Sequence, residues 1–589
     1  MIRDELREVI EEAVRDAFAS GALPAVAMPD VAIERPSSDA HGDYACSVAL
    51  KMARAARMAP MAIADVIVAQ AHVPASVEAL DVAAPGFINF RLSTDWLRRQ
   101  VDAILKEDAA WGSVEVGQGK RVQVEFVSAN PTGPLHVGTG RGAALGDSLA
   151  RVLEKAGYRV EREYYVNDAG SRMEAFNLSV QARYRQHFGH EAALPSDGYP
   201  GDYVSELAAA IADREGDRFL GDAGATPSPH PLPEGEGTPT PPLPLGEAGQ
   251  GRGAAAGRVR AITPDPAEAL GRLGVQLLLD QIREDLERLG VRFDRWFYEQ
   301  SLFDEGKIDA ALDLLRQGGR VVEREGAIWF TSASVGEDRD NVLVRSNGLP
   351  TYFASDVAYH RDKFIERGFD MVVDVWGADH QGHVPRMKAV VEALGVDPAR
   401  LVVLLYQLVN LVRGGRPVPM GKRTGEFVTL REVLDEVGPD PIRFFLVGRS
   451  PDAMMDFDLD LAKAQSDVNP VYYVQYAHAR TAGILRRAAG VDYLGGDISR
   501  LQEPAELAMI RKLLMLPEIV ADAALALAPH PLPHFGQELA TVFHTFYDQC
   551  RVISEDEELT RARLKLVAAC QLTLRTTLDL IGVSAPESM

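Results

Sequence analysis

The apolar positions of this chain follow two periods, and the switches between them divide it into units. In residues 2–18, Leu6, Val9, Ile10, Val14 and Phe18 recur at helical spacing among charged side chains, which predicts an amphipathic surface helix. VAIERP (31–36) reads as extended and MAPMAIADVIVAQA (58–71) as helical. PGFINFRL (85–92) reads as an edge-like strand with Phe87, Phe90 and Leu92 in the core. Residues 1–110 are therefore expected to form an α+β unit. RVQVEFV (121–127) alternates Val122, Val124 and Phe126 on one face, as a strand does. A Pro/Gly-rich loop follows, and then a helix expected from near Arg141, with Leu145, Leu149, Val152 and Leu153 on one stripe and Gly157 closing it. YRVEREYYV (158–166) is the next strand. Strand, loop, helix and strand make a βαβ unit, so residues 111–461 are expected to form a doubly wound, Rossmann-like parallel sheet with helices on both faces. MVVDVWG (371–377) and LVVLLYQLV (401–409) are further strand candidates, the second apolar enough for a buried strand. From 462 onward the pattern is all-helical. Asn469 is placed to cap a helix that starts at Pro470, and Phe543, Phe546, Tyr547, Leu564 and Leu566 are core candidates.

Residues 223–258 are rich in Pro and Gly and nearly lack large apolar side chains. Such a segment buries too little surface to offset ordering entropy, so a disordered insertion without function is expected. A length of 589 residues fits about three or four units. The 62 Lys+Arg against 85 Asp+Glu leave a net charge of −23, which argues against coating duplex nucleic acid but permits a local basic stripe. Cys46, Cys550 and Cys570 lack metal-ligand spacing and are a poor basis for disulfides, so a reducing, cytoplasmic setting without structural zinc is expected. No apolar run approaches the ~20 residues that span a bilayer, and the acidic first helix is not a signal peptide.

Four segments carry candidate chemistry. PLHVGTGRGAALGD (134–147) lies between a strand and a helix, where backbone N–H groups and the positive helix end suit a polyphosphate, with His136 as an added donor. The same residues fit a dinucleotide fingerprint, Gly138-x-Gly140-x-x-Ala143 with Glu161 or Glu163 as the ribose acid, although about ten residues separate it from its strand. They also fit a plain glycine-rich turn with a buried histidine. PVPMGKRTGEFVTL (417–430) sets Lys422 and Arg423 between glycines before a helix expected near Thr429. Its spacing is not that of a Walker A loop, and a solvated surface loop is the simpler alternative. VVDVWGADHQGHVPR (372–386) places Gly377, Asp379, His380 and His383 just beyond a strand, where open α/β sheets bind ligands. Asp379 there suits a ribose or a helix cap, while a metal at Asp379, His380 and His383 lacks a further ligand cluster. Finally, Glu125 sits in an apolar strand and Asp356 follows LPTYFAS. Buried acids need a cation, and either an internal Arg or Lys or a bound guanidinium would serve.

Taken jointly, the segments resemble class I aminoacyl-tRNA synthetases, with HVGT (136–139) in place of the HIGH signature and PMGKR (419–423) in place of KMSKS. VEFVSANPTGPLHVG, LPTYFASDVAYH, GADHQGHVPR, DFDLDLA and NPVYYVQYAHAR resemble the bacterial arginyl-tRNA synthetase family in particular, and GDYACSVALKMA and the C-terminal LDLIGVSAPESM also fit it. The resemblance implies an arginine–tRNA ligase acting on L-arginine, tRNA(Arg) and ATP with Mg2+, as a monomer. It implies that Glu125, Asn130, Tyr352 and Asp356 hold arginine, with His380 nearby. It implies that His136, Gly138, Thr139, Gly377, Asp379, Met420, Lys422 and Arg423 face ATP, His136 and Lys422 being catalytic. Residues 1–110 would touch the tRNA, 111–461 would hold the reaction, and 462–589 would read the anticodon. The chain departs from both signatures. Thr139 stands where the signature ends in His, and Pro419 and Gly421 stand for its Lys and Ser.

Overall fold

Five strands lie side by side in the middle of the chain, in the order Leu401–Tyr406, Met371–Gly377, Arg121–Glu125, Arg159–Val166, Arg295–Tyr298, and every pairing is parallel. The computed structural model describes residues 1–220, 265–331, 340–418 and 428–589. The Pro/Gly-rich segment 223–258 and the loop bearing Met420, Lys422 and Arg423 lie outside the described residues. Side chains alternate faces along each strand. Val122, Val124, Val373 and Val375 join a core shared with the helix Val137–Lys155, while Val372, Leu401 and Phe297 join a second core under the helices Tyr352–Arg361 and Val384–Ala393. The sheet is thus covered on both faces, as the βαβ pattern requires.

The N-terminal unit is a four-stranded antiparallel sheet with helices packed on it. Phe87–Leu92 pairs with a strand on each side, so it is interior and not an edge; Phe90 and Leu92 are buried and Phe87 is half-buried. LVVLLYQLV also departs from expectation. It is two strands, Leu401–Tyr406 at the edge of the parallel sheet and Val409–Arg413 in a separate three-stranded sheet. Its side chains after Leu401 are half-buried, because an edge strand lacks a second neighbour. The helix expected from Arg141 begins one turn earlier, at Val137. Beyond 463 the described elements are all helical, and Asn469 caps the helix Pro470–Arg487 through its side chain. The N-terminal unit rests on these helices through Trp111 Nε1, which donates to Thr573 Oγ1 at 3.0 Å, and through the pairs Arg511–Asp43 (2.6 Å) and Lys565–Asp102 (2.7 Å). No described helix is long and apolar enough to cross a membrane.

Candidate functional site

The loop after the central strand turns sharply upward. Val127 has φ +70 and Ser128 N–H donates to the Phe126 carbonyl at 3.0 Å, which is a γ-turn closed on a β-branched residue. A side chain in that region is strained, of order 1–3 kcal/mol, and persists because its surroundings hold it. Here Ser128 Oγ donates to Glu125 Oε1 (2.9 Å) and accepts from Tyr165 N–H (3.1 Å). The loop runs through half-buried Asn130 to His136, whose Nδ1 accepts from the Thr139 N–H at 3.2 Å and caps the helix. An accepting Nδ1 puts the proton of the neutral ring on Nε2. Burial lowers the His136 pKa, partly opposed by the nearby Asp379 carboxylate, so the ring is neutral.

Gly138, Gly140, Gly142 and Gly146 all lie inside this helix. A Cβ would meet the Leu430 side chain at 2.9 Å from Gly140, the Tyr406 ring at 2.9 Å from Gly142 and the Phe126 ring at 2.2 Å from Gly146. These three glycines seat the helix against its neighbours. The dinucleotide fingerprint fails on the same facts, because the strand stops at Glu125 and the glycines are not in a tight strand–helix turn. Its proposed ribose acids are also occupied, since Arg367 pairs with both Glu161 (2.6 Å) and Glu163 (2.5 Å). The segment after residue 427 returns beside the same loop: His136 bridges Thr429, and Leu430 N–H donates to the Leu135 carbonyl at 2.8 Å. Thr429 then caps the helix Leu430–Val437 with a reciprocal Glu432 bond. The chain that follows PMGKR therefore runs beside the His136 loop from Thr429 onward.

The strand register aligns three acids in a row across the sheet, Asp374, Glu125 and Glu163. Three like charges on one face need cations from above. They come from the helix Tyr352–Arg361 and its π-turn continuation Asp362–Glu366. Lys363 Nζ donates to Glu125 Oε2 at 2.6 Å and to Asp374 Oδ1 at 2.9 Å, and Arg367 covers Glu163. Burial by itself would raise the Asp374 carboxyl, but Lys363 and His360 outweigh it and hold it at about 2. Glu125 is pushed upward by burial and by Asp374, with Lys363 opposing. Of the two acids expected to meet a guanidinium, Glu125 is thus already bonded to the protein's own lysine.

Asp356 is different. It lies one helical turn after Tyr352, on the same face, and no Lys, Arg or His among the described residues pairs with it. Burial pushes its carboxyl up to about 6, against the pull of His360 and Arg386. Tyr352 is 43% exposed and leans over Gly170, where a Cβ would sit 2.6 Å from the tyrosine hydroxyl. Gly170 has φ +87, so the position favours glycine on both counts. Asp379 and His380 follow the strand Met371–Gly377 on a short 3-10 turn; they are 77% and 58% exposed and approach each other at 3.5 Å. A Cβ on Gly377 would lie 2.5 Å from Asp379 Oδ1. Among the described residues no group of three His, Cys, Asp or Glu has metal-holding geometry.

Sequence reasoning missed Lys363, Asp374, His360 and Arg141. The spacing 356, 360, 363 runs along one helical face and could have flagged His360 and Lys363, and Asp374 is an acid inside an apolar strand. Arg141 gave no signal. It is fully buried and donates to the carbonyls of Gln407, Ser450 and Ala453, tying the helix to the strand-end loops.

Comparison with known proteins gives one answer over the whole chain. Residues 4–92 match the family described as "Arginyl tRNA synthetase N terminal domain", residues 100–194 and 267–478 match "tRNA synthetases class I (R), catalytic domain", and residues 474–589 match "DALR anticodon binding domain". The arginine–tRNA ligase of Dehalococcoides mccartyi (strain CBDB1) is 46% identical over 591 residues, covering 100% of this chain and 99% of its own. That of Geobacter sp. (strain M21) is 46% identical over 594 residues, covering 100% of both. The solved Thermus thermophilus arginyl-tRNA synthetase superposes with a TM-score of 0.75 at 25% identity, over 100% of each chain. The Plasmodium falciparum enzyme, at 16% identity and TM-score 0.72, shares the fold.

Proposed function

The chain belongs to the arginyl-tRNA synthetase family, and from that premise we propose that it activates L-arginine with ATP and transfers the arginyl group to the 3′-terminal adenosine of tRNA(Arg), releasing AMP and pyrophosphate. The observation that carries the choice of amino acid is Asp356, a half-buried carboxylate one turn from Tyr352 to which no protein cation among the described residues bonds directly. A guanidinium supplies the missing charge and can pair bidentately. A smaller or neutral amino acid leaves the acid unpaired, which gives strong discrimination without proofreading. Asn130 and His380 flank the amino-acid end. Glu125 contributes from behind, through a carboxylate that Ser128 and Lys363 already engage.

ATP lies along the cleft between the His136 loop and the returning chain at Thr429, with Gly138, Thr139, Gly377 and Asp379 beside it and Met420, Lys422 and Arg423 reaching it from the intervening loop. The arginine carboxylate attacks the α-phosphorus in line, giving arginyl-adenylate and pyrophosphate. The terminal 2′-OH of the tRNA then attacks the arginyl carbonyl and AMP leaves. No side-chain nucleophile is required, so rate comes from positioning and from donors aimed at the developing charge. His136 donates through Nε2–H and Lys422 through its ammonium. Mg2+ bound to the triphosphate would screen its charge. Residues 1–110 and 462–589 contact the tRNA, and the protein works as a cytoplasmic monomer.

The test is ATP-dependent charging of bulk tRNA with each labelled amino acid in turn. Arginine alone is expected to be incorporated. Equal incorporation of lysine, or charging without ATP, overturns the proposal.

A further inference from the structure

The chain between the strand end at Glu125 and the helix start at Val137 carries Asn130 and His136 but forms neither strand nor helix, so its position depends on what grips it from outside. Three donors are spaced along it. Tyr164 Oη donates to the Ala129 carbonyl at 2.8 Å, Tyr203 Oη to the Thr132 carbonyl at 2.7 Å, and Leu430 N–H to the Leu135 carbonyl at 2.8 Å. Tyr164 belongs to the parallel sheet, and Leu430 opens the helix that Thr429 caps. Tyr203 comes from a different part of the fold. It is the second residue of the helix Asp202–Glu215, which is seated through buried Val204, Leu207, Ala208 and Ile211. Gly201 leaves room for its ring, since a Cβ there would lie 2.6 Å from it. Thr132 is buried and Tyr203 half-buried. Burial, with Tyr199 nearby, pushes the Tyr203 hydroxyl up to about 12, so it remains a donor at neutral pH. A buried carbonyl without its donor is costly, so this bond fixes where Thr132 sits, two residues after Asn130 and four before His136.

We infer that Tyr203 is a positioning residue for adenylate formation, holding the loop at Thr132 so that His136 stands where charge develops on the phosphate. This rests on the reading of the protein as an arginine–tRNA ligase. Strain at one end of the loop makes a grip in its middle necessary. Val127 has φ +70, and a β-branched residue held there relaxes when its surroundings loosen. Tyr164 restrains the loop close to that strained start and Leu430 restrains it next to His136, which leaves the turn at 131–133 to Tyr203. The hydroxyl acts on backbone and not on a substrate-facing side chain. Its contribution is therefore geometric, and geometry counts most where reacting groups must be aligned, in the transition state.

Tyr203→Phe removes the hydroxyl and keeps the ring beside Gly201, so the experiment is arginine-dependent pyrophosphate exchange by the full chain carrying Y203F, with tRNA present. The exchange kcat is expected to fall about 10-fold, with the arginine and ATP KM values within about threefold of wild type and the melting temperature within about 2 °C. In a His136→Ala background the same substitution should cost less than about twofold, because alignment is worth nothing once the aligned group is gone. A tenfold loss in both backgrounds marks a residue that acts on the fold at large and overturns the inference. A Y203F kcat within about twofold of wild type overturns it too, as does a kcat loss accompanied by melting more than about 5 °C lower. The Leu430 amide, bonded to the Leu135 carbonyl, reports on the loop without any reaction: its hydrogen exchange in unliganded Y203F should be about 10-fold faster, and an unchanged rate overturns the grip itself. A wild-type chain that supports no arginine-dependent exchange overturns the ligase reading, and with it the catalytic part of this inference, even where the Leu430 amide responds.

Discussion

Two buried charge clusters in the same domain show opposite logic. Around Asp147, on the helix that His136 caps, three arginines converge: Arg443 at 2.5 Å, Arg151 at 2.7 Å and Arg162 at 3.5 Å. Arg443 is fully buried and uses its remaining donors on the carbonyls of Ile581 (2.7 Å) and Leu289 (3.1 Å), so the end of the last helix is clamped to the catalytic helix. Burial would raise the Asp147 carboxyl, but the arginines outweigh it and hold it low. Around Asp356 and Glu299, the buried acid that follows the strand Arg295–Tyr298, no cation among the described residues bonds directly, His360 and Arg386 acting on Asp356 only at longer range, and burial pushes the two acids up to about 6 and about 7. The first cluster is complete in the protein alone and serves stability. The second has no cation bonded to it among the described residues, and the proposed guanidinium would supply one. A buried charge by itself therefore says little; what identifies a site is whether the protein has balanced it.

The largest expected effect of breaking this contrast is at the complete cluster. Arg443→Ala leaves Asp147 only Arg151 and Arg162 and strips the buried Ile581 and Leu289 carbonyls of their donor, and should lower unfolding free energy by about 3–5 kcal/mol, read by urea denaturation without ligand; a loss below 1 kcal/mol would mean the clamp does not hold the domains. At the incomplete cluster, Asp356→Asn should raise the arginine KM about 10- to 100-fold while the ATP KM stays put and the empty protein melts no lower. Equal rises in both KM values would count against a guanidinium partner.

Protonation sharpens the contrast further. Asp356 and Glu299 have folded pKa values above their unfolded ones, so the native state binds protons that the unfolded chain has released. Stability of the empty protein should therefore fall as pH rises from the ordinary carboxylate range to about 7, and level off above it. Arginine reverses this, so its thermal-shift increment should be larger at pH 8 than at pH 5. An increment independent of pH would sink the pairing. Asp147 has the opposite sign: its stabilisation is present above the ordinary carboxylate pKa and is lost as pH falls through its lower folded value. The smallest effect belongs to a charge pair in neither cluster. Arg272 meets Glu268 one turn away on an exposed helix face, and Arg272→Ala should change stability by about 0.5 kcal/mol or less, with both KM values unchanged.

Much of this was legible in the chain, for local reasons. Alternation at Val122 and Val124 marks a strand whatever surrounds it, and Asn469-Pro470 starts a helix by its own backbone chemistry. Thr429 likewise announces its helix, because a capping box needs only four residues. Other readings needed neighbours that sequence spacing does not supply. FINFRL is an interior strand because two partners found it, and LVVLLYQLV divides because its second half joins another sheet. The glycines of the His136 helix pack against Phe126, Tyr406 and Leu430, two of them more than 260 residues away in number.

The candidate pocket divides along the same line. Residue type and pattern alone established that acids lie in apolar surroundings at Glu125 and Asp356, and that cations and glycines recur where a triphosphate could sit. Which acid stays available was decided only by folding. Lys363 reaches Glu125 across 238 positions of chain, the sheet register sets Asp374 beside it, and Glu299 is left facing Asp356 with an oxygen unbonded. The physical reason is that propensity and capping act within a few residues, whereas desolvation and Coulomb energy depend on what lies within a few ångströms, however far apart it stands in the chain.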